Sequence, residues 1–591
     1  MKTRRNFLNL FLVAALLASG WMGVFAPARD AAAQPTKDSL VVTSDADDAS
    51  AHDNMLGDGT CMDNGMRCTL RAAIEEANSS SDSDTITFAS AMTIQIDVGE
   101  GYLPAISNPV TIDASSVWDT TNNKPGVILN GGGGSFSGLQ LFAGGCVIRG
   151  LHIDNFGFNG LVISSANNQI GGTTQGHRNV ISGNANCGIL IFGSTAQYNL
   201  VQNNYIGTNP SGTLAHSNES GIMITDHASY NTIGGSTAAE GNLISGNTNY
   251  GVVIFGAGSD GNALGGNLIG TTIVGAALPN GAGGVQLTDG AQYNYIGGGG
   301  ALEANTIRYH TGPGIVVLGA NFTNMERNTI SDNNFGVYIQ DGAENSIIDN
   351  TIASNVTDGV RVGGAASLGN WISQNSIYNN LDQGIDLTDG GNSELAAPTI
   401  TSATIGGASG TACANCIVQI FSDDVDEGET YHGMVNADAS GNWSYIGALA
   451  GPKITATATN SVLSTSEFSA PYTLGGGGNQ APNAPGCPSP IDNDTQIFIN
   501  PMVSWCGDDP DGDTVTYKVY GRVQGSSTWI QWCSTTNTYC QLGRLQTFTT
   551  YEWQVTADDG NGGVTSGPVW RFTTGDTFSG YAIYLPMTVK K

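Results

Sequence analysis

Basic residues are scarce in this sequence. Lys and Arg together number 20 against 50 Asp and Glu, which gives a formal net charge of −30. This balance argues against nucleic acid as a partner, and against a polyanion bound without a bridging cation. Charged residues as a whole make up only 12% of the chain, whereas glycine occurs 83 times. The composition therefore predicts a turn-rich β protein and not a disordered acidic chain.

Long apolar runs are absent after the N-terminus, so we expect no transmembrane segment in the mature chain. Three basic residues among the first five precede a short apolar run at residues 11–18, a pattern typical of an export signal. Residues 3–9, Thr-Arg-Arg-Asn-Phe-Leu-Asn, resemble a twin-arginine signal, and the general secretory route stays open as well. We predict that residues 1–34 are a signal peptide and that the protein is secreted or held at the cell surface.

Helix-forming stretches are also few, and the centre of the chain repeats a short β-type pattern instead. Glycine followed by two apolar residues that bracket a variable one returns nine times, at spacings of 22 to 33 residues. The motifs begin at Gly160, Gly188, Gly221, Gly251, Gly284, Gly314, Gly336, Gly359 and Gly384. Self-similarity at such a period is the signature of a stacked repeat, so the sequence predicts a solenoid here.

A second pattern identifies the kind of solenoid. One Asn falls between each pair of neighbouring glycine motifs, and an Ile follows it two residues later in all eight cases. These residues are Asn179, Asn204, Asn242, Asn267, Asn305, Asn328, Asn350 and Asn375. Two short β-branched strands per repeat leave no room for a helix and suit a parallel β-helix, in which each Ile stacks on the next and the Asn form a ladder at a bend.

The chain at this point strongly resembles the right-handed parallel β-helix proteins that bacteria secrete, the pectate-lyase-like superfold. We predict an all-β protein with a right-handed parallel β-helix solenoid at residues 39–395, followed by two β-sandwich domains.

The N-terminal end of the solenoid needs a cap, because its first coil would otherwise expose an apolar face. Residues 68–78 are the one convincing helical stretch. They resemble the Cys-Ser-Leu-Arg-Glu-Ala motif at the N-terminus of many β-helix surface proteins, departing from it at two positions. We predict a cap at residues 61–80, in which Arg71 and Glu75, one helical turn apart, form an ion pair.

Ten cysteines in an exported chain favour disulfides. The pairs that lie near enough to close small loops are Cys61 with Cys68, Cys413 with Cys416, Cys487 with Cys506, and Cys533 with Cys540. A metal or redox role for the second pair is the alternative, although no His lies nearby. Cys146 and Cys187, inside the solenoid, are predicted to be buried thiols.

After residue 395 the Asn pattern ends and short strands at sandwich spacing follow. The predicted parts are an immunoglobulin-like module, a linker, a second sandwich domain and a tail, at residues 396–474, 475–482, 483–575 and 576–591. The second domain resembles fibronectin type III, with Trp505 on the strand of the core tryptophan and Tyr551 at the tyrosine corner. Disulfides are unusual in that family. The tail is either a surface-retention tag or a last strand.

Four aspartates bunch in one loop of this last domain and are weak candidates for a calcium site. They are Asp508, Asp509, Asp511 and Asp513. Calcium prefers oxygen ligands, but the spacing is not that of an EF-hand loop, and acidic turns are common. Calcium is therefore the one cofactor that the sequence suggests.

The residues two and four after each motif glycine are predicted to point outward. They form an apolar stripe that runs from Val162 through Phe192 and Phe255, and it turns polar only near Arg361. An apolar stripe of this length needs a cover. We expect the insertions of the longer coils, such as residues 208–216, to supply it, and a partner is the alternative.

The resemblance includes polysaccharide lyases and polygalacturonases, so outward carboxylates are weak candidates for catalysis. Asp226, Asp289 and Asp341 stand five residues after a motif glycine in every second coil, about 9.6 Å apart. An inverting glycosidase pair needs a separation of about 6.5 to 9.5 Å, so this spacing lies at the edge. Keeping like charges apart is the simpler explanation. The nearest approach to a constellation with basic residues comprises Asp226, His227, Arg308 and His310, but these groups stand several coils apart.

No base, metal site and oxyanion partner can be assembled on one face of the predicted solenoid. We therefore predict an exported modular β-helix protein that binds or displays without catalysis, a cell-surface adhesin or carbohydrate-binding protein. Its expected partner is an extracellular polysaccharide or neighbouring cell-surface material. A polysaccharide lyase or glycoside hydrolase is the main alternative, and a structural surface rod is the other, because fold does not fix function.

Overall fold

The computed structural model describes residues 39–80, 82–474, 481–510 and 512–576. The predicted signal peptide, most of the predicted linker and most of the predicted tail lie outside these residues. The described chain forms two compact units that divide between Thr473 and Leu474. No described helix is long and apolar enough to cross a membrane.

Three parallel sheets make up most of the first unit. Sheet A has 12 described strands: Ser39–Val42, Asp84–Phe88, Val110–Asp113, Val147–Arg149, Gln169–Gly171, Leu200–Gln202, Thr232–Gly234, Ala263–Gly265, Tyr295–Gly297, Asn324–Glu326, Ser346–Ile348 and Trp371–Ser373. Sheet B has 11: Met92–Gln95, Val127–Asn130, Leu151–Asp154, Val180–Ser182, Tyr205–Ile206, Leu243–Ile244, Leu268–Ile269, Thr306–Arg308, Thr329–Ser331, Thr351–Ala353 and Ser376–Tyr378. Sheet C has 10: Leu139–Leu141, Leu161–Ile163, Cys187–Phe192, Ser220–Thr225, Tyr250–Phe255, Gly283–Thr288, Ile315–Leu318, Val337–Gln340, Val360–Gly363 and Ile385–Thr388.

From Val110 onward, each turn of the chain contributes one strand to sheet A, then one to sheet B, then one to sheet C. Strands of successive turns pair in parallel and in register, as Ile181 does with Ile206. The three sheets therefore wind into the predicted right-handed parallel β-helix, and the all-β fold class is confirmed.

Aliphatic side chains from all three sheets fill the interior of the solenoid. Ile181 and Ile206 of sheet B are fully buried, and so are Ile189 and Ile191 of sheet C. The inward direction of residues one and three after each motif glycine is thus confirmed, as is the stacking of the Ile that follow the repeated Asn. Each coil buries its apolar face against its two neighbours, which explains why the repeat is stable only as a stack.

The predicted Asn ladder, ladder 1, lies at the corner between sheets A and B. Each side-chain Nδ2 donates to Oδ1 of the next Asn along the axis, at 2.9 to 3.0 Å. The same Nδ2 also donates to a main-chain carbonyl of the preceding coil, as Asn242 does to Val201 at 2.7 Å. Every member is at most 2% exposed. The ladder therefore satisfies amide groups that would be costly to bury unpaired.

The other two corners carry ladders that the repeat pattern did not predict. Ladder 2, between sheets C and A, comprises Asn168, Asn199, Asn231, Asn262 and Asn294 and, after an interruption at Thr323, Asn345, Asn370 and Asn392. Ladder 3, between sheets B and C, comprises Asn184, Asn218, Asn247, Asn280, His310, Asn333, Asn355 and Asn380. All three corners of the solenoid are thus held by chains of amide hydrogen bonds.

His310 replaces one Asn of ladder 3. Asn280 Nδ2 donates to His310 Nε2 at 3.1 Å, and His310 Nδ1 lies 2.9 Å from Asn333 Oδ1. The ring must therefore accept at Nε2 and donate from Nδ1, which only the neutral imidazole does. Burial lowers the pKa of His310 to about 4, in agreement with this role. Because His310 lies inside the ladder, it is not available to the constellation with Asp226, His227 and Arg308, whose members the sequence already placed several coils apart.

The N-terminal cap contains the helix Leu70–Ser79, which begins after Thr69, whose hydroxyl accepts from Ala72 N at 3.1 Å. Short 3₁₀ turns follow later in the chain at Ser115–Val117, Gln175–His177 and Gly391–Glu394. The predicted ion pair between Arg71 and Glu75 is wrong. Arg71 points into the buried side of the cap and pairs with Asp47 at 2.7 Å, whereas Glu75 contacts His52 on the partly exposed side at 2.6 Å.

The chain after residue 396 folds into two antiparallel sheets. The strands are Thr399–Thr404, Gly407–Thr411 and Asn442–Ile446 in one sheet, and Ile417–Asp423, Thr430–Asn436, Lys453–Thr459 and Tyr472–Thr473 in the other. This β-sandwich closes the C-terminal end of the solenoid. Phe468 packs against the solenoid core, and Gln419 Nε2 donates to Ser373 Oγ at 2.7 Å. The sequence predicted a sandwich, but not that it serves as a cap.

Ladder 3 ends on a carboxylate of this sandwich. The main-chain N and the Nδ2 of Asn380 donate to the two oxygens of Glu427 at 3.1 and 3.0 Å. Burial raises the pKa of Glu427 to about 7, the hydrogen bonds from Asn380 oppose this rise, and the charges of Asp423 and Asp426 add to it. The seam between solenoid and sandwich therefore contains a titratable group.

The four predicted disulfides are present, and Cys146 and Cys187 are buried free thiols, as predicted. The Cys413–Cys416 disulfide removes the metal alternative for that pair. Burial raises the pKa of the Cys146 thiol to about 11 and that of the Cys187 thiol to about 12, so neither thiol is reactive at neutral pH.

The second unit is also a β-sandwich. Its strands are Gly486–Ser489, Met502–Cys506 and Tyr539–Gln541 in one sheet, and Asp494–Ile497, Trp570–Thr574, Thr550–Asp558, Thr516–Val523, Ile530–Thr535 and Val564–Ser566 in the other. Trp505 is buried in the core, and Tyr551 Oη accepts from the main-chain N of Gln546 at 2.9 Å. Its relationship to fibronectin type III, like the exact domain boundaries, stays a prediction.

We predict that His310→Asn makes the protein more resistant to acid. The folded state holds His310 with a pKa of about 4, below the ordinary 6.5, so the unfolded state binds more protons between these values. Stability is therefore lost as pH falls through this window, by about 2 to 3 kcal/mol for this group. The variant should lose less Tm than the wild type between neutral pH and pH near 4. His227→Asn, at an exposed His, is the control, and equal losses in wild type and H310N would contradict the prediction.

We predict the opposite trend for Glu427. Its folded pKa of about 7 lies above the ordinary 4.5, so the folded state binds more protons in this window and loses stability as pH rises through it. Glu427→Gln keeps an acceptor for Asn380 and removes the charge, so the fall in Tm above pH 5 should be smaller in the variant. Glu429→Gln, at an exposed neighbour, is the control. A variant with the pH profile of the wild type would refute the assignment.

Candidate functional site

The predicted carboxylates are exposed but do not converge. Asp226, Asp289 and Asp341 have φ of 52°, 53° and 54°, in the left-handed region. In the intervening coils the same position is glycine, as at Gly256 with φ 89°. The row therefore alternates between Asp and Gly because both tolerate this conformation. Asp226 Oδ1 lies 3.4 Å from Nδ1 of its neighbour His227. The alternation of Asp and Gly in this row therefore follows from the main-chain conformation of the position.

The insertions of the longer coils do not cover the apolar stripe of sheet C. Residues 208–216 follow the sheet B strand Tyr205–Ile206 and fold back over sheet B itself. A Cβ on Gly212 would come within 2.9 Å of both Tyr205 and Leu243, which are buried together. The expectation that these loops cover the stripe is therefore wrong. On the stripe, Val253 is buried, and Phe255 is 44% exposed.

A cluster of His and Asp fixes this insertion to the solenoid. His216 Nε2 lies 2.7 Å from Asp154 Oδ1, and its main-chain O accepts from Gly183 N at 3.0 Å. Nearby, His152 Nε2 lies 3.2 Å from Ser182 Oγ, and burial lowers the pKa of His152 to about 4. Ser182 is fully buried, so it is closed to substrate as a nucleophile. We interpret the cluster as an attachment point for the loop.

A different set of side chains stands out at the corner between sheets C and A. One residue per coil, immediately before each member of ladder 2 from Asn168 to Asn370 and before Thr323, which interrupts the ladder, has a left-handed main chain with φ of 54° to 68°. Main-chain hydrogen bonds hold successive coils in register here, as from Tyr230 N to Asp260 O at 3.0 Å. We call this set the corner row. It comprises Asn167, Tyr198, Tyr230, Gly261, Tyr293, Phe322, Glu344 and Gly369.

Four aromatic residues occupy the centre of the corner row. Tyr198 and Tyr230 are 55% and 53% exposed, and their rings stack at 5.6 Å with an interplanar angle of 12°. Tyr293 is 51% exposed and stacks on Phe322 at 4.8 Å with an angle of 10°. A left-handed main chain costs a residue with a large side chain about 1 to 2 kcal/mol, and Gly or Asn much less. Three exposed tyrosine rings and the partly buried ring of Phe322 are thus retained at positions whose main-chain conformation disfavours large side chains.

The sequence contained a signal for these aromatics. Ala-x-Tyr-Asn occurs at residues 196–199, 228–231 and 291–294, and Ala-Asn-Phe-Thr stands at 320–323. This Tyr, which recurs before the Asn of ladder 2, belongs neither to the glycine motifs nor to the Asn-x-Ile motif of ladder 1. An aromatic residue in a turn, repeated with the coil period, is the pattern that would have identified the row.

The predicted calcium residues lie in the second unit. Asp508 accepts from Asn483 Nδ2, and Asp513 accepts from Asn561 Nδ2, both at 2.8 Å. Asp511 lies outside the described residues. Among the described residues, no group of three or more His, Cys, Asp or Glu is arranged to hold a metal ion. Calcium binding by Asp508, Asp509, Asp511 and Asp513 therefore stays a prediction.

The sequence model of the family described as "Right handed beta helix region" matches residues 270–419. Among curated proteins, none matches the sequence significantly. Similar solved structures include the A-module of the Azotobacter vinelandii mannuronan C-5 epimerase AlgE4, with 15% identity, 52% of this chain and 71% of that chain covered, and a TM-score of 0.29. The periplasmic alginate epimerase AlgG has 12% identity, coverage of 52% and 76%, and a TM-score of 0.27.

The FN1–FN3 domains of chicken CNTN1 are also similar, with 14% identity, 30% of this chain and 65% of that chain covered, and a TM-score of 0.20. At such identities and TM-scores, these similarities say nothing about the activity of this chain. The residues on its own surface are the basis for its function.

Proposed function

We propose that this right-handed β-helix protein is exported and binds a neutral extracellular polysaccharide without catalysis, through the aromatic side chains of the corner row. The observation that carries the proposal is the pair of stacks on a left-handed main chain, Tyr198 on Tyr230 and Tyr293 on Phe322, in which the three tyrosines are about half exposed and Phe322 is partly buried. Exposed apolar surface at strained positions is typical of binding sites.

The chemistry of the aromatic rings suits a sugar. The rings of each stack cover one face of each other, so each stack presents the outer edges of its rings as a rigid apolar strip at little cost in side-chain entropy, and tyrosine adds a hydroxyl at the rim. The C–H faces of a pyranose ring pack on such surfaces, while its hydroxyls need hydrogen-bond partners. The corner row and the residues beside it supply amide and carboxylate groups, including Asn167 and Gln197, both accessible to solvent. Apolar faces next to polar groups are the usual composition of a small-ligand site.

The charge of the chain selects against acidic polymers. The protein has a net charge of −30, and Asp226 and Asp289 lie four residues before Tyr230 and Tyr293 in the same turns. A polyuronate would meet like charge here unless cations bridged the two. A neutral polysaccharide has no such cost, and its hydroxyls can donate to the same carboxylates.

The arrangement supports binding more than turnover. Asp226, Asp289 and Asp341 stand on alternate coils, so each is about 9.6 Å from the next, at the edge of the separation of an inverting glycosidase pair. The exposed stack of rings needs no reacting group to act as a binding surface. The catalytic and structural-rod alternatives are outcomes of the test that follows.

We predict that replacing the rings by Asn weakens polysaccharide binding by tenfold or more per stack, since a lost aromatic contact costs about 1 to 2 kcal/mol. Asn is the matched replacement because Asn167 occupies the same row with φ of 62°. The variants are Tyr198→Asn with Tyr230→Asn, and Tyr293→Asn with Phe322→Asn. Retention on insoluble and immobilised neutral polysaccharides should fall, while Tm stays equal or rises.

Tyr539→Asn, at a 51% exposed aromatic of the second unit, is the control. Reducing ends and unsaturated products are measured in the same reactions, with neutral and uronate polymers. Release of products would contradict a binding function and favour a lyase or glycosidase. Absence of retention on every neutral polymer would also contradict it and leave the structural rod.

A further inference from the structure

We infer that the ligand is an extended oligosaccharide chain that lies along the solenoid axis and spans two separate aromatic platforms. Platform 1 is Tyr198 with Tyr230, and platform 2 is Tyr293 with Phe322. This inference rests on the proposed function and adds to it the direction of the ligand and the length that it must have.

The separation of the platforms follows from the register of the coils. Tyr230 N donates to Asp260 O at 3.0 Å, and Gly261 N donates to Gln292 O at 3.3 Å, so Gly261 occupies the one coil between Tyr230 and Tyr293. One coil rises by about 4.8 Å, which puts Tyr230 and Tyr293 about 10 Å apart and the platform centres about 14 Å apart. Rings in contact are 5.6 or 4.8 Å apart, so the two platforms cannot stack on one another.

Gly261 is what keeps the platforms apart. It has φ of 68°, like its aromatic neighbours in the row, but carries no side chain. A Cβ at this position would come within 2.7 Å of the Tyr230 ring, so that ring lies across the bare glycine. The surface between the platforms is therefore main chain and the edge of Tyr230, low enough for a ligand to cross from one platform to the other.

The aromatic part of the row also has defined ends. Asn167 precedes Tyr198 on the preceding coil, and Glu344 follows Phe322 on the next one. The rings thus extend over five coils, or about 19 Å from first to last. A pyranose unit with its linkage is close in length to one coil rise, so a chain that reaches both platforms needs about four or five units. A chain laid across the axis would touch one platform only.

Spanning two platforms has a measurable consequence. A short ligand occupies one platform, whereas a chain long enough for both converts the second contact into an intramolecular one. Affinity should therefore rise steeply at the length that bridges the gap, and not by a constant factor per sugar unit. The rise should be tenfold or more, a factor that corresponds to about 1.4 kcal/mol.

The test is calorimetry on the full chain with β-1,4-linked gluco-oligosaccharides, from the disaccharide to the hexasaccharide. We expect at least a tenfold gain in affinity between the trisaccharide and the pentasaccharide. Tyr230→Asn and Tyr293→Asn, which remove one platform each, should abolish this gain and leave binding of the disaccharide detectable. Phe255→Asn, at a 44% exposed aromatic outside the row, should keep it.

The outcomes separate this inference from the proposed function. Equal affinity for short and long chains, or a length dependence that survives Tyr230→Asn and Tyr293→Asn, would overturn the two-platform arrangement while binding itself stands. Absence of binding for all lengths, together with absence of retention on the polymers, would overturn both. Thermal unfolding of each variant shows that the loss does not come from misfolding.

Discussion

The amide hydrogen bonds at the three corners are the constraint on which the rest of the structure depends. A parallel β-helix turns sharply three times per coil, and each turn buries polar groups between apolar sheets. In the described chain these groups are satisfied by Asn ladders at every corner, and in one rung by neutral His310. Because a buried amide without a partner is costly, each rung fixes the position of the next coil. The ladders therefore specify register, and the register places one surface residue per coil in a straight row.

A stack of coils also needs two closed ends. The buried Arg71 and Asp47 pair holds the N-terminal cap in place. At the other end, the β-sandwich that follows the solenoid supplies Phe468 to the core and Glu427 to the last rung of ladder 3. Burial shifts the pKa of Glu427 upward and that of His310 downward, so the two groups give the solenoid opposite dependences on pH. The sandwich therefore contributes to the stability of the solenoid.

Most of the fold could be predicted from the sequence, because the strands follow short motifs that recur at the period of the coil. The Gly motif and the Asn-x-Ile motif recur once per coil, and so identify the strands, the inward residues and ladder 1. The contacts of long side chains could not be predicted in this way. Arg71 has Glu75 within reach along its helix, but its buried position favours Asp47, which only the folded chain reveals. The course of residues 208–216 over sheet B depends likewise on tertiary packing.

For the site, the sequence indicated Asp226, Asp289 and Asp341 by charge, whereas the aromatic corner row becomes apparent when the main-chain conformation at Tyr198 and Tyr230 is known.

We propose that the solenoid presents aromatic rings at a fixed spacing to a neutral polysaccharide. The most direct measurement is a crystal structure of the full chain soaked with a neutral oligosaccharide that the protein retains. We expect sugar density on the corner row, with pyranose rings over Tyr198, Tyr230, Tyr293 or Phe322 and the chain parallel to the solenoid axis. Density confined to the carboxylate row of Asp226, Asp289 and Asp341, or to the second unit, would contradict it.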